Sequence, residues 1–338
     1  MKKNLRNILA VALGLMTTVA FAQTWNADSR TRIDMSGDHD KMSTSQRATI
    51  GATWGGSDWG IHVSSDVNYT LSNQAATGEL GMEIYEAYAS TDLMGYASLT
   101  AGRQAINNGS GALMSTNDWG ANRTTWDGMT FGLNLDAADV TIGYANMNAG
   151  GEGDEDNGNM WLNAGGNFSG WDVNFLYMTN TVNGEDSDAA TGIDISGEVG
   201  GAGVSASMNT DFDGDEMRVL GLTYAVNDDM GVNVSQTVYG DDGGFNMAGT
   251  NMDGSWNETG NLGYLNGGDE MLSYGLTYNM NGIALGATMH NVTGADESER
   301  DITEISLGYS LNDNSGLSLK MVDDNDTKYM WLTLNIGL

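Results

Sequence analysis

A period-two alternation of apolar and polar residues, running through nearly the whole chain, constrains its fold more than any other feature. At the C-terminus Met330, Leu332, Leu334, Ile336 and Leu338 fall on one side, with Tyr329, Trp331, Thr333, Asn335 and Gly337 on the other. Leu220, Leu222, Tyr224 and Val226 alternate with Gly221, Thr223 and Ala225 in the same way, as do Leu272, Tyr274, Leu276 and Tyr278 with Ser273, Gly275 and Thr277. Successive side chains of a strand point to opposite faces, so each segment predicts a strand with one greasy and one wet face. About 18 such segments fit between residues 29 and 336, with 16 as the smaller alternative. A soluble sandwich and a membrane barrel share this periodicity, and only the connections separate them.

Tight links follow the even-numbered segments, as at 55–57, 91–95, 136–137, 167–169, 200–201, 227–229, 281–282 and 312–314. Links after odd segments are generally longer and carry the acid, as at 151–158, 183–188, 241–269 and 295–301. A sandwich has no reason to keep its long loops at one end. An outer-membrane barrel has short periplasmic turns and long external loops. The expected fold is therefore all-β, a single transmembrane antiparallel up-and-down β-barrel. Trp54 and Trp59 flank one short turn and Phe168 and Trp171 another, where an interfacial aromatic girdle belongs.

The first residues fit export. A basic start (Lys2, Lys3, Arg6) leads into an apolar run of 13 residues from Ile8 to Ala20 and then Ala20-Phe21-Ala22 before Gln23. That is the pattern of a cleaved secretory signal, and its apolar core is too short to span a membrane as a helix. Residues 1–22 are expected to be the leader and 23–338 the barrel, in the outer membrane of a Gram-negative bacterium. With no Cys, the chain has no disulfide, thiolate metal site or lipid attachment at cysteine. Forty-eight Gly with no Pro suits long meandering sheets, because Pro removes ladder hydrogen bonds.

Without the leader's three cations, ten Lys and Arg face 45 Asp and Glu, a net charge near −35, which excludes nucleic acid as a partner. Three scattered histidines, His39, His62 and His290, make no catalytic or metal constellation, and no GxSxG motif accompanies them, so no enzyme activity or cofactor is expected. Asp211, Asp213 and Asp215, or Asp154, Glu155 and Asp156, space oxygen ligands closely enough for Ca²⁺, but without the later bidentate Glu they read as solvated acidic loops.

The few cations carry more information. Strand phase turns Arg30, Arg32 and Arg47 to the lumen, a basic strip on one wall. Its acidic counterparts are Asp34 and Asp66 on neighbouring strands, or Asp118 and Asp127 in the long loop after the fifth strand. Such a strip either sets a transverse field that sorts ions or merely forms salt bridges that hold the wall.

Residues 83–133 contain EAYA, then GRQ at the end of the next strand, then DW, then Arg-x-x-x-Asp-Gly opening a further strand. This order resembles outer-membrane porins of the alginate-export type, which form monomeric 18-stranded barrels. The resemblance implies that Arg103 and Arg123 sit near a constriction. Arg103 is in phase with Leu99, however, and reaches the lumen only if the strand ends or bulges near Gly102. The run from Gly109 to Met114 stands where the family often has an Arg. An exporter of anionic polysaccharide also calls for a basic lumen, which ten cations do not supply.

The residues thus point to a passive pore for small polar solutes and ions, weakly cation-preferring, with the loop from Ala105 to Asp127 folded inward as constriction. A plugged structural or adhesive barrel and a polysaccharide exporter are the alternatives. Lipid and lipopolysaccharide are the expected surroundings, and a homo-oligomer remains an open alternative.

Overall fold

The computed structural model describes residues 22–37, 42–71, 81–135, 138–146, 157–263, 265–325 and 327–338. Eighteen antiparallel strands close on themselves as a β-barrel. They are β1 Ala22–Asp34, β2 Ser43–Gly55, β3 Trp59–Thr70, β4 Gly81–Leu93, β5 Ala97–Gln104 and β6 Trp126–Asn134. There follow β7 Asp139–Asn146, β8 Gly158–Phe168, β9 Trp171–Val182, β10 Ala190–Val199, β11 Ala202–Thr210 and β12 Glu216–Ala225. The last six are β13 Met230–Tyr239, β14 Glu270–Met280, β15 Ile283–Thr293, β16 Glu299–Asn312, β17 Ser315–Asp324 and β18 Thr327–Gly337. A two-residue segment, Glu185–Asp186, extends the end of β9, and one helical turn, α1 Trp256–Thr259, lies in the loop after β13.

Each strand pairs with its sequence neighbours, and β1 closes the ring on β18 through a register running from Asp28–Gly337 to Asp34–Trp331. Closure leaves no unpaired sheet edge, the only way a sheet can sit in hydrocarbon. The strands lie close to their sequence-predicted positions except at the start. There β1 pairs with β2 from Ala22–Gly55 onward, seven residues before the expected start at 29. Trp25 is the single apolar residue from Gln23 to Asn26, too little alternation to mark this start in the sequence. Of the expected leader, 1–22, only Ala22 is described, and His39, the Asp136–Ala137 turn and the 154–156 acids lie outside the described residues.

The alternation separates an apolar exterior from a polar interior. Leu220, Leu222 and Tyr224, Leu272, Tyr274 and Leu276, and Ile336 all project their side chains outward and exposed, while Trp331 and Thr333 are buried inside. The buried apolar cluster occupies the lumen near the long-loop end, where Leu113, Met114, Phe245, Met247 and Trp256 from loops meet Trp161, Met178, Met217 and Ile302 from the wall.

Candidate functional site: a strapped lumen

The loop between β5 and β6, residues 105–125, crosses the lumen as a strap fastened to the wall at both ends. Backbone pairing within it, Asn108 N–H to Met114 O and Thr124 N–H to Thr116 O, gives it the form of a folded finger. On one side, three consecutive carbonyls meet three arginines. Arg30 donates to Asp118 O (2.5 Å) and Gly120 O (3.0 Å), Arg32 to Trp119 O (2.9 Å), and Arg47 to Asp118 O (3.1 Å) and Gly120 O (3.2 Å). On the far wall the Ser110 N–H donates to the carboxylate of Asp194 on β10 at 2.9 Å. Gly109, at φ +55°, lies so close to this carboxylate that a Cβ would run into it. The Gly-Ser-Gly run that stands where a porin-like Arg was expected is therefore the part of the strap that must approach the wall bare.

Arg123 anchors the strap a second time. Its guanidinium bonds Asp66 on β3 (Nη2 to Oδ1, 2.6 Å) and Thr49, and its Cζ stands 3.3 Å over the ring of Tyr85. Tyr85 reaches this position through a β-bulge. Ser64 pairs with Glu86 and Ser65 with Ile84, so Tyr85 is the extra residue and turns inward between them. Burial alone would lower the Arg123 pKa; the hydrogen bonds of Asp66, together with Tyr85 and Asp118, outweigh it and hold it above the ordinary value.

The second inward loop, residues 240–269, braces the first. Trp119 donates its indole N–H to Asn257 O (3.1 Å), Asn117 its amide to Glu258 O, Thr124 its hydroxyl to Gly249 O, and Asn251 its N–H to Ser115 Oγ. This loop has its own wall contacts, Trp256 Nε1 to Asp324 (3.0 Å) and Lys320 Nζ to Gly260 O (2.6 Å). Arg32 stacks over Trp119 at 3.5 Å, and Trp119 meets Trp331 edge-on at 5.1 Å. The apolar residues Phe245, Met247, Trp256, Leu262 and Leu265 are the sequence signal for this folding, since an acidic loop destined for solvent has no use for them.

The nine expected site residues divide accordingly. Arg30, Arg32, Arg47, Asp66, Asp118 and Arg123 come together on the strap's basic side. The Asp118 side chain is mostly exposed, 3.7 Å from Arg123, and it is its carbonyl that the wall arginines hold. Asp34 points inward at the top of β1 but accepts the Ser36 N–H instead of an arginine. Arg103 and Asp127 need correction. They pair in register across β5 and β6 beside Ala101 and Met129, on the outward face, with side chains 39% and 52% exposed. Their bidentate pair (2.6 Å) faces away from the lumen, because Gly102, although at φ +126°, does not change the strand's phase.

Two inward cations escaped the sequence reading, Arg300 on β16, bonded to Asp324, and Lys320 on β17, 3.1 Å from Glu304. Strand phase could have found both. Among the described residues the six inward cations therefore occupy one sector, from β16 through β18 to β2, together with the strap. The opposite arc holds a chamber of about 910 Å³ beside the strap. Asn163, Asn174 and Asp194 line its polar side and Asp139 and Asp172 its short-turn end, and no Lys, Arg or His lines it.

The Asp211, Asp213 and Asp215 loop turns on itself. Asp211 is buried and accepts the N–H groups of Asp213, Asp215 and Asn246, and no group of acids or histidines suited to a metal ion occurs among the described residues. His62 and His290 each share a hydrogen bond with a wall hydroxyl, Thr53 and Ser273 respectively, and stand on distant strands.

No protein-family model matches the chain, and no curated protein matches it by sequence. Solved structures do match. The vanillate-bound OpdK structure of Pseudomonas aeruginosa superposes with a TM-score of 0.74 at 11% identity, over 94% of this chain and 100% of that one. OccK5 (OpdH) of the same organism gives 0.72 at 10% identity over 94% and 98%, and OccAB4 of Acinetobacter baumannii 0.66 at 13% over 94% and 98%. One further OpdK structure of Pseudomonas aeruginosa is described as an outer membrane protein, and none of these neighbours is an alginate exporter by name, so the finer type suggested by residues 83–133 finds no support in them. At such identity the likeness establishes the fold alone, a closed antiparallel barrel of 18 strands.

Proposed function

We propose that the chain is an outer-membrane porin for passive diffusion of small polar solutes and ions, weakly cation-preferring. The observation that carries this reading is the division of the lumen. The arginines of the basic sector are engaged by strap carbonyls or acids, while the chamber on the other side presents Asp139, Asp172 and Asp194 without a cationic side chain. A passage lined this way favours cations, and acidic external loops enrich them at the mouth. The apolar exterior and the Ala20-Phe21-Ala22 pattern support export behind a cleaved leader into the outer membrane of a Gram-negative bacterium, and N-terminal sequencing of the membrane form is expected to begin at Gln23.

Planar-bilayer recording tests the reading. Discrete conductance steps are expected, with a reversal potential indicating cation preference at low salt that fades as salt screens the field. Absence of steps, or firm anion preference, rejects it. The plugged-barrel alternative draws on the cross-braced loops, and liposome swelling with small sugars separates the two, since a plugged barrel admits none. A polysaccharide exporter is disfavoured because no free basic surface faces the chamber.

A further inference from the structure

We propose that the chamber beside the strap is a binding site for a small amphipathic amine, a primary ammonium group on an apolar body. This rests on the pore reading and names the solute class this chamber suits. The lining changes character along its circumference. The arc from β7 to β11 offers acceptors, among them Asp139, Asp172, Asp194 and the Asn163 and Asn174 amides. The arc from β12 to β14 offers Met217, Val219 and Met271, and the second inward loop adds Met252, Leu262 and Leu265.

Each arc excludes a class of ligand. An inorganic cation would use the carboxylates and waste the methionine and leucine surface. A neutral sugar has no need of three carboxylates unpaired with Lys or Arg among the described residues. An organic anion would meet those carboxylates with no cation to receive it. An ammonium donates three hydrogen bonds to an acceptor-rich wall while its hydrocarbon covers the apolar arc. The acceptors are held in place from the wall, Asn163 Nδ2 donating to Asn174 Oδ1 at 2.9 Å and Asn167 Nδ2 to Asp172 Oδ1 at 2.9 Å. Asp194 carries part of the strap through Ser110, so occupancy near it also reports on the strap.

The test uses the full mature chain in bilayers and in detergent, with n-hexylamine as probe and n-hexanoate and ammonium as controls. Hexylamine is expected to cause transient current blockades and to give a calorimetric binding signal in detergent, while neither control does. The double variant D139N/D172N touches no strap contact, and it is expected to shorten the blockades and weaken binding about tenfold, the effect of losing charge-assisted hydrogen bonds at a partly exposed site. M271S is expected to weaken hexylamine while ammonium conduction stays unchanged. The proposal falls if hexanoate blocks as well as hexylamine, or if D139N/D172N, shown folded by its β-barrel circular dichroism, binds hexylamine like the parent. Carboxylate-dependent binding without conductance would reject the pore reading and leave the site standing. Conductance without hexylamine binding would do the reverse.

Discussion

Arg30 and Arg47 face each other in register across β1 and β2, and both donate to the same two carbonyls, those of Asp118 and Gly120. Like charges directly opposed on neighbouring strands repel. Here the negative ends of two peptide dipoles lie between them, so the strap neutralises the wall and the wall positions the strap. The R30A and R47A variants are each expected to lose about 1–3 kcal/mol from charge-assisted hydrogen bonds. In the double variant the second loss is larger than the first, because the arginine left by the first substitution is no longer repelled and its hydrogen bonds count in full. Denaturant melts of the four proteins in the cycle check this, and strictly additive losses would contradict it. Single-channel steps of the double variant should be larger and noisier as the strap loosens.

The Arg123–Asp66 pair differs because both side chains are almost fully enclosed, 9% and 4% exposed. Removing one partner of a buried pair leaves the other charge uncompensated, at a cost of about 3–5 kcal/mol. D66N is therefore expected to destabilise the strap more than R30A or R47A, although Thr49 and Tyr85 still hold the guanidinium. The double variant D66N/R123M is expected to recover much of the loss. If it is no more stable than D66N, the pair does not fasten the strap.

The barrel was legible in the sequence because one physical rule, two faces per strand, repeats at every segment and errors in one strand do not propagate to the next. Inward arginines followed from the same rule, as did the suspicion that Arg103 faces outward, where the structure places it. What the rule cannot give is where a loop goes. The strap's partners are backbone carbonyls of residues 118–120, which carry no side-chain signature, and Tyr85 enters the site through a bulge that breaks the phase the rule depends on. The inward course of residues 240–269 has a trace in its apolar residues, and the basic sector extends to β16 and β17, where Arg300 and Lys320 share the inward phase of Ile302 and Val322.

Gly143 on β7 pairs with Trp161 on β8, and the indole lies across the glycine inside the barrel, in the space a methyl would take. Such glycine–aromatic pairs pin register. G143A is expected to destabilise by about 1–3 kcal/mol through overpacking. In a Trp161→Ala background the same substitution should cost little. Measuring G143A in both backgrounds distinguishes a steric effect from an intrinsic effect on the strand: equal losses would rule out the indole as the cause.

Asp215 gives the external loops a pH dependence whose sign is fixed by its neighbours. Burial, then the charges of Asp211, Asp213 and Asp242, pushes its carboxyl above the ordinary range. A raised pKa means that the folded loop binds the proton more tightly than the unfolded one. Loop stability therefore falls as pH rises from the ordinary carboxylate value through the raised one, and is level above it. D215N lacks this term, so its advantage over the parent should be absent in acid, grow across that window and persist at neutral pH. The group is largely exposed, so the advantage is a few tenths of a kcal/mol and shrinks with salt. The Asp213 and Asp215 amides donate to Asp211, and their hydrogen exchange reports loop opening directly. Slower exchange in D215N than in the parent at pH 7, with equal protection once rates are corrected to pH 3, is the expected result. A variant that exchanges faster at pH 7 would show that the Asp215 charge supports the loop instead of straining it.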